Sequence, residues 1–189
     1  MASEMRIELI QVPVSDIDRA KAFYVEKAGF FLNDEMDDFA TAPGKPNLFQ
    51  LVQGDANAVG PGKRMLSSMG PLVAWRGGEV LALGGRGGSR IPTHTAQVLL
   101  DVIADGDSLA AALARPRIHH QGLPDQLEAE EDALSPETRA ELERRGHKVL
   151  TSTTVAKVQA VRRRADGRFA AASDPRDTDG AGVAVSEPR

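Results

Sequence analysis

Cysteine is absent from the 189 residues, which excludes disulfides, thiolate metal centres and a cysteine nucleophile and leaves the redox compartment open. Aromatic residues make up only 4% of the chain, too few for the stacking platforms of a single-strand nucleic-acid binder. Positive charge is not in excess either: 23 Lys and Arg against 27 Asp and Glu give a formal net charge of −4, the wrong sign for a nucleic-acid footprint. No apolar run reaches the roughly 20 residues that cross a bilayer. Met1 to Glu4 leads into a strand pattern rather than the apolar core of a signal peptide. The expectation is a cytoplasmic chain with no membrane and no nucleic-acid partner. What the chain does have is a hydrophobic fraction of 41%, enough for one domain with its own core plus an appendage.

The stretch Arg64 to Arg90 organises the rest. Two apolar runs, Pro71 to Trp75 and Glu79 to Leu83, flank Arg76-Gly77-Gly78 and read as a hairpin of buried strands. A serine pair, Ser67-Ser68, precedes the hairpin, and a glycine-rich turn, Gly84 to Arg90, follows it. The turn runs into the apolar segment Thr93 to Ile103, which is long enough for a buried helix. Strand, glycine turn and helix start together present backbone N–H groups to an anion, because glycines reach positive φ and keep side chains out of a ligand's way. A carboxylate, a phosphate or an oxyanion would fit. The spacing does not match the phosphate loop, and a plain tight turn is the competing reading.

Elsewhere, Ile7 to Val14 reads as a strand and Ser15-Asp16 caps a helix that Gly29 ends. Ser108 to Ala114 forms a short helix closed by Arg115-Pro116, and Leu134-Ser135-Pro136-Glu137 starts another that Gly146 ends, its charge a solvated face. Val149 to Val161 and Arg168 to Ser173 are expected strands joined by Ala165-Asp166-Gly167. His119-His120 tempts a metal reading, but neighbours on a strand face opposite ways and no carboxylate is spaced to join both, so a structural role is expected.

Two resemblances sit on this pattern. The phrase VPVSDIDRAKAFYVEKAGF resembles the opening strand and helix of the vicinal-oxygen-chelate (glyoxalase/bleomycin-resistance) family. The metal-ligand position of that family's first strand holds Leu9 here, and Glu8 or Gln11 alone would not make a site. From Gly29 onward the chain resembles the small subunit of γ-glutamyltransferase (glutathione hydrolase), through NDEMDDF, PGKRMLSSM, GGRGGSR, RIHHQGLPDQL, LSPETRAELERRGHKV and ASDPR in that order. The expected organisation is a glyoxalase-like strand–helix segment at residues 1–28, a γ-glutamyltransferase-like domain at 29–176 and a loose tail at 177–189.

The second resemblance implies an α/β fold, part of the αββα sandwich of an N-terminal-nucleophile hydrolase with a strand–helix appendage, and no cofactor. In that family an amino-terminal Thr attacks a γ-glutamyl amide. Glu35 and Asp38 would bind the substrate's α-ammonium, Ser67 and Ser68 its α-carboxylate, and the N–H groups of Gly87 and Gly88 would form the oxyanion hole. γ-Glutamyl compounds such as glutathione are the implied ligands, and a large-subunit-like chain or a second copy the implied protein partner. The resembled family is often periplasmic or extracellular. Gly85-Arg86 stands where the family usually has Ser-Pro, adding charge beside the turn or disturbing it. The family's nucleophilic Thr falls upstream of the resemblance, and Thr41, Thr93 and Thr95 sit in no self-cleaving context, so this polypeptide alone is expected to be inactive. The alternatives are a non-catalytic γ-glutamyl-binding or assembly subunit, and a glyoxalase-like metal protein.

Overall fold

The computed structural model describes residues 38–153, 155–178 and 182. The expected strand Ile7 to Val14, the helix after Ser15, the junction near Gly29 and Glu35 lie outside the described residues.

Two apolar runs close on Gly77-Gly78, whose φ values of 57° and 83° suit the tight turn that matches strand twist. They form β1 (Leu72–Arg76) and β2 (Glu79–Arg86), antiparallel, with Leu72 opposite Leu83 and Trp75 opposite Val80. β2 runs past the expected end of the strand at Leu83, so Gly84 and Gly85 belong to the sheet and not to the turn. Gly85 is needed there for a packing reason: a Cβ would lie 2.6 Å from the Lys157 carbonyl oxygen. What remains of the turn is a single 3-10 turn, Gly88–Arg90, leading into α1 (Ile91–Ile103). Ile91, His94, Thr95, Val98 and Val102 are its buried residues, at the three- and four-residue steps of one helical face.

The short helix α2 (Leu109–Ala114) follows, with the Ser108 hydroxyl accepting from the Ala111 N–H. Next come β3 (Ile118–His119), β4 (Leu127–Ala129) and α3 (Pro136–Arg144), which the Ser135 hydroxyl caps by accepting from Thr138 N–H. The expected long strand from Val149 to Val161 is two strands in different sheets: β5 (Val149–Thr151) pairs parallel with β4, while β6 (Lys157–Arg163) pairs antiparallel with β2. β7 (Phe169–Ser173) completes an antiparallel sheet in the order β1-β2-β6-β7, and β3-β4-β5 make the second sheet. The core lies where Leu81, Leu83, Val158 and Ala160 meet Val98, Val102, Leu109, Ala112 and Leu113 of the two helices.

Because strand residues alternate, the opposite face of the larger sheet carries Val73, Trp75, Val161 and Phe169, all exposed. Trp75 is 78% exposed, so the expectation of a hairpin of buried strands is corrected for the outward face of β1, while Leu81 and Leu83 of β2 are buried. Among the described residues β1 is an edge strand with β2 as its only neighbour, and its outward face meets no second layer.

A buried ionic lattice locks the two sheets to α2. Arg117 and Asp174 pair at 2.8 Å, both nearly inaccessible to solvent. Arg117 also donates to the carbonyls of Leu113 and Ala156. Arg176 donates to Glu130 at 2.7 Å and to Asp174 at 3.1 Å. Burial alone would raise the Asp174 pKa, but the Val158 and Arg176 N–H groups and the Arg117 guanidinium outweigh it and hold the carboxyl below its ordinary value. Asp177, placed in the loose tail by the sequence reading, is tied to Arg86 at 2.7 Å and to Lys157 at 3.6 Å.

Candidate functional site

The loops before β1 are held by Asn57, which is 7% exposed. Its side-chain amide donates to the Asp38 carbonyl at 2.7 Å and to the Gln53 side-chain oxygen, and its own side-chain oxygen accepts from the Leu66 N–H at 3.0 Å. The Ala40 N–H donates to the Asn57 carbonyl at 2.9 Å. One buried amide thus fixes Asp38 and the residue immediately before Ser67-Ser68 to the same point. Ser67 is exposed, with its hydroxyl accepting from Met69 N–H at 3.2 Å, and Ser68 is half-buried.

The glycine turn takes the positive φ values expected of it. Gly87 and Gly88 have φ values of 138° and 60°, in the region that favours glycine. Side chains are excluded as well: a Cβ on Gly87 would lie 2.6 Å from Ala156 Cα, and one on Gly88 would lie 2.6 Å from Phe49 Cδ1. Arg90 anchors the far end through a two-pronged bond to Glu128, at 2.8 and 2.9 Å, the geometry in which a guanidinium binds a carboxylate best. Arg86, the departure from Ser-Pro, continues the β2 ladder opposite Lys157, and Asp177 takes its guanidinium. The turn is therefore intact, and the Arg86 charge is already engaged.

Behind the turn lies a polar chain that the sequence reading did not single out. The Ser89 hydroxyl donates to the Gln121 side-chain oxygen at 2.7 Å. The Gln121 amide nitrogen donates to the carbonyls of Phe49 at 2.8 Å and Leu123 at 3.1 Å. Those two acceptors fix the amide's orientation, so Nε2 of His119, 3.1 Å from the same Gln121 oxygen, is the protonated nitrogen. His119 Nδ1 lies 2.7 Å from the Thr93 hydroxyl, which is also within 3.1 Å of the Arg90 carbonyl oxygen. His119 is buried and His120 exposed, the opposite-facing arrangement expected of the pair. Burial first, with Arg90 and His120 adding to it, lowers the His119 pKa. His94 meets His119 edge-on at 5.9 Å and accepts the Ala156 N–H at 2.9 Å. Burial, then the charge of Arg117, pushes its pKa down to about 3. Among the described residues no group of three or more His, Asp or Glu is placed to hold a metal ion, and no helix is long and apolar enough to cross a membrane.

The antiparallel sheet backed by two helices is an α/β arrangement that the chain shares with solved N-terminal-nucleophile hydrolases. A γ-glutamyltranspeptidase from Pseudomonas nitroreducens, solved in complex with L-DON, aligns with a TM-score of 0.74 at 41% identity over 93% of this chain and 92% of that one. A mutant γ-glutamyltranspeptidase from Helicobacter pylori aligns at 0.72 with 39% identity, over 81% of this chain and 84% of that one. In sequence, a family model described as gamma-glutamyltranspeptidase matches residues 21–184. The chain belongs to that family. The match takes in residues 21–28, which the sequence reading gave to the glyoxalase-like segment. Among curated relatives, the glutathione hydrolase proenzyme of Escherichia coli is 45% identical over 154 residues, 81% of this chain. That of Pseudomonas aeruginosa is 42% identical over 174 residues, 89% of this chain. The chain spans 26% and 30% of their lengths.

Proposed function

We propose that this chain is a γ-glutamyl-recognition unit that retains the substrate cradle and, by itself, lacks the group that attacks the amide. In this reading the carboxylates of Glu35 and Asp38 take the ligand's ammonium, Ser67 and Ser68 donate hydroxyl hydrogens to its α-carboxylate, and the N–H groups of Gly87 and Gly88 face the scissile carbonyl. The observation that carries the reading is the Asn57 hub, which ties Asp38 and the approach to the serine pair to one buried side chain.

No Thr among the described residues has the position of an amino-terminal nucleophile. Thr93 and Thr95 lie inside α1, Thr93 bonded to His119 and Thr95 buried, and Thr41 is an exposed loop residue. In this reading the attacking group for γ-glutamyl transfer or hydrolysis comes from outside the described residues. Binding needs no cofactor. Titration calorimetry with L-glutamate tests the cradle: saturable heat in the wild type, abolished in Asp38→Ala and weakened in Ser68→Ala, supports it, and no heat in the wild type overturns it.

A second reading, assembly on a large-subunit-like chain or a second copy, is favoured by the exposed sheet face of Val73, Trp75, Val161 and Phe169. Sedimentation of the chain alone and with a separately expressed large subunit tests it. A monomer in both runs removes this reading. The remaining proposals, a cytoplasmic chain and a separate strand–helix appendage at residues 1–28, are tested by cell fractionation and by deleting residues 1–20, ahead of the family match.

A further inference from the structure

Residues 46–52 form a small knob that is complete in itself. Asn47 closes it, its side-chain oxygen accepting from the N–H groups of Phe49 and Leu51 at 3.0 Å each and its backbone N–H donating to the Leu51 carbonyl at 3.0 Å. Gln50 takes a positive φ of 62° at the tip. Pro46 and Val52 bridge the base. Docking of the knob to the glycine turn runs through Phe49, whose ring lies where a Gly88 side chain would be, and through the Phe49 carbonyl, which accepts from Gln121.

We infer that Gln121 is a positioning residue that latches this knob onto the glycine turn, its amide holding Phe49 with one end and Ser89 with the other. The two ends of one planar group are spent on opposite tasks. The nitrogen donates to Phe49 and Leu123, and the oxygen accepts from Ser89 and from His119. A glutamate at this position would keep the oxygen side and turn an acceptor toward two carbonyls. The latch therefore sets whether Phe49 stands against Gly88, and with it access to the N–H groups there. Its consequence for ligand rests on the cradle reading above; the latch itself does not.

Fluorine NMR of the full chain carrying 4-fluorophenylalanine at its six Phe positions tests it, with the Phe49 line assigned from Phe49→Leu. In Gln121→Glu the Phe49 line is expected to move toward its unfolded-chain position while the other five stay in place. Glutamate affinity by calorimetry is expected to fall about tenfold as the donors to Phe49 and Leu123 are both lost. A Phe49 line that does not move, or that moves only together with all the others, overturns the latch. Should Gln121→Glu fail to fold, Gln121→Met, which has similar length and no amide, is read by the same two outcomes. Wild type that binds no glutamate while the Phe49 line still responds to the variant would sink the cradle reading and leave the latch standing.

Discussion

Lowering the pH from neutral to about 5 should cost this protein stability through one side chain, His94. Its ring is 1% exposed, accepts the Ala156 N–H and lies close enough to Arg117, His119 and Arg90 for their charges to disfavour a proton on it. Burial is the largest cause, and the pKa falls from 6.5 to about 3. In the unfolded chain the ring titrates near its ordinary value, so between these two values the unfolded state binds the extra proton. Stability is then complete above the unfolded value and is lost as the pH falls through the window toward the folded one. At about pH 5 the loss is 1.36 kcal/mol for each pH unit below 6.5, about 2 kcal/mol in all. His119, also depressed by burial, adds loss of the same sign. Asp174, held below its ordinary 3.8, keeps its contribution until the pH falls further. The assay is urea unfolding at pH 7, 6 and 5 for wild type and His94→Gln, whose amide oxygen can still accept from Ala156. The variant should begin less stable and lose about 2 kcal/mol less than wild type across the range. Parallel pH curves for the two proteins would refute the assignment of a buried neutral imidazole.

Other perturbations follow from the same contacts. Asp174→Ala leaves the Arg117 guanidinium buried without its carboxylate and should cost about 3–5 kcal/mol in urea unfolding, whereas Asp174→Asn, which still accepts the Val158 N–H, should cost less. Gly88→Ala forces a side chain into a φ of 60° and onto the Phe49 ring; the conformational part alone should lower stability by about 1–2 kcal/mol, with loss of glutamate heat in calorimetry. Asn57→Ala removes the bonds to Asp38 and Leu66 and should weaken glutamate binding about tenfold, with no change at Val98 and Val102 in hydrogen exchange.

Legibility in the sequence followed the range of the interaction. The Gly77-Gly78 hairpin, the helix start at Ser135 and the helix over Thr93 to Ile103 are set by neighbours a few residues apart, and spacing exposed them. The end of β2 was not legible, because Gly84-Gly85 looks like a turn until β6 is beside it and the Lys157 carbonyl requires a residue without Cβ. The break between β5 and β6 was hidden for a related reason: each strand pairs with a different sheet, and the apolar pattern runs across the gap. At the site, the double glycine was legible and its geometry bears out a left-handed turn. Asn57 and Gln121 were not singled out. Their roles depend on partners as far as 19 and 72 residues away in sequence, and only Gln121 falls within a quoted motif of the resembled family.

The most direct test of the central claim is a single assay: the purified 189-residue chain incubated with a chromogenic γ-glutamyl anilide. The account predicts no release of the anilide above the rate in buffer, because no threonine among the described residues presents both its hydroxyl and a free amine at the glycine turn. Release that is saturable and disappears in Asp38→Ala would contradict it.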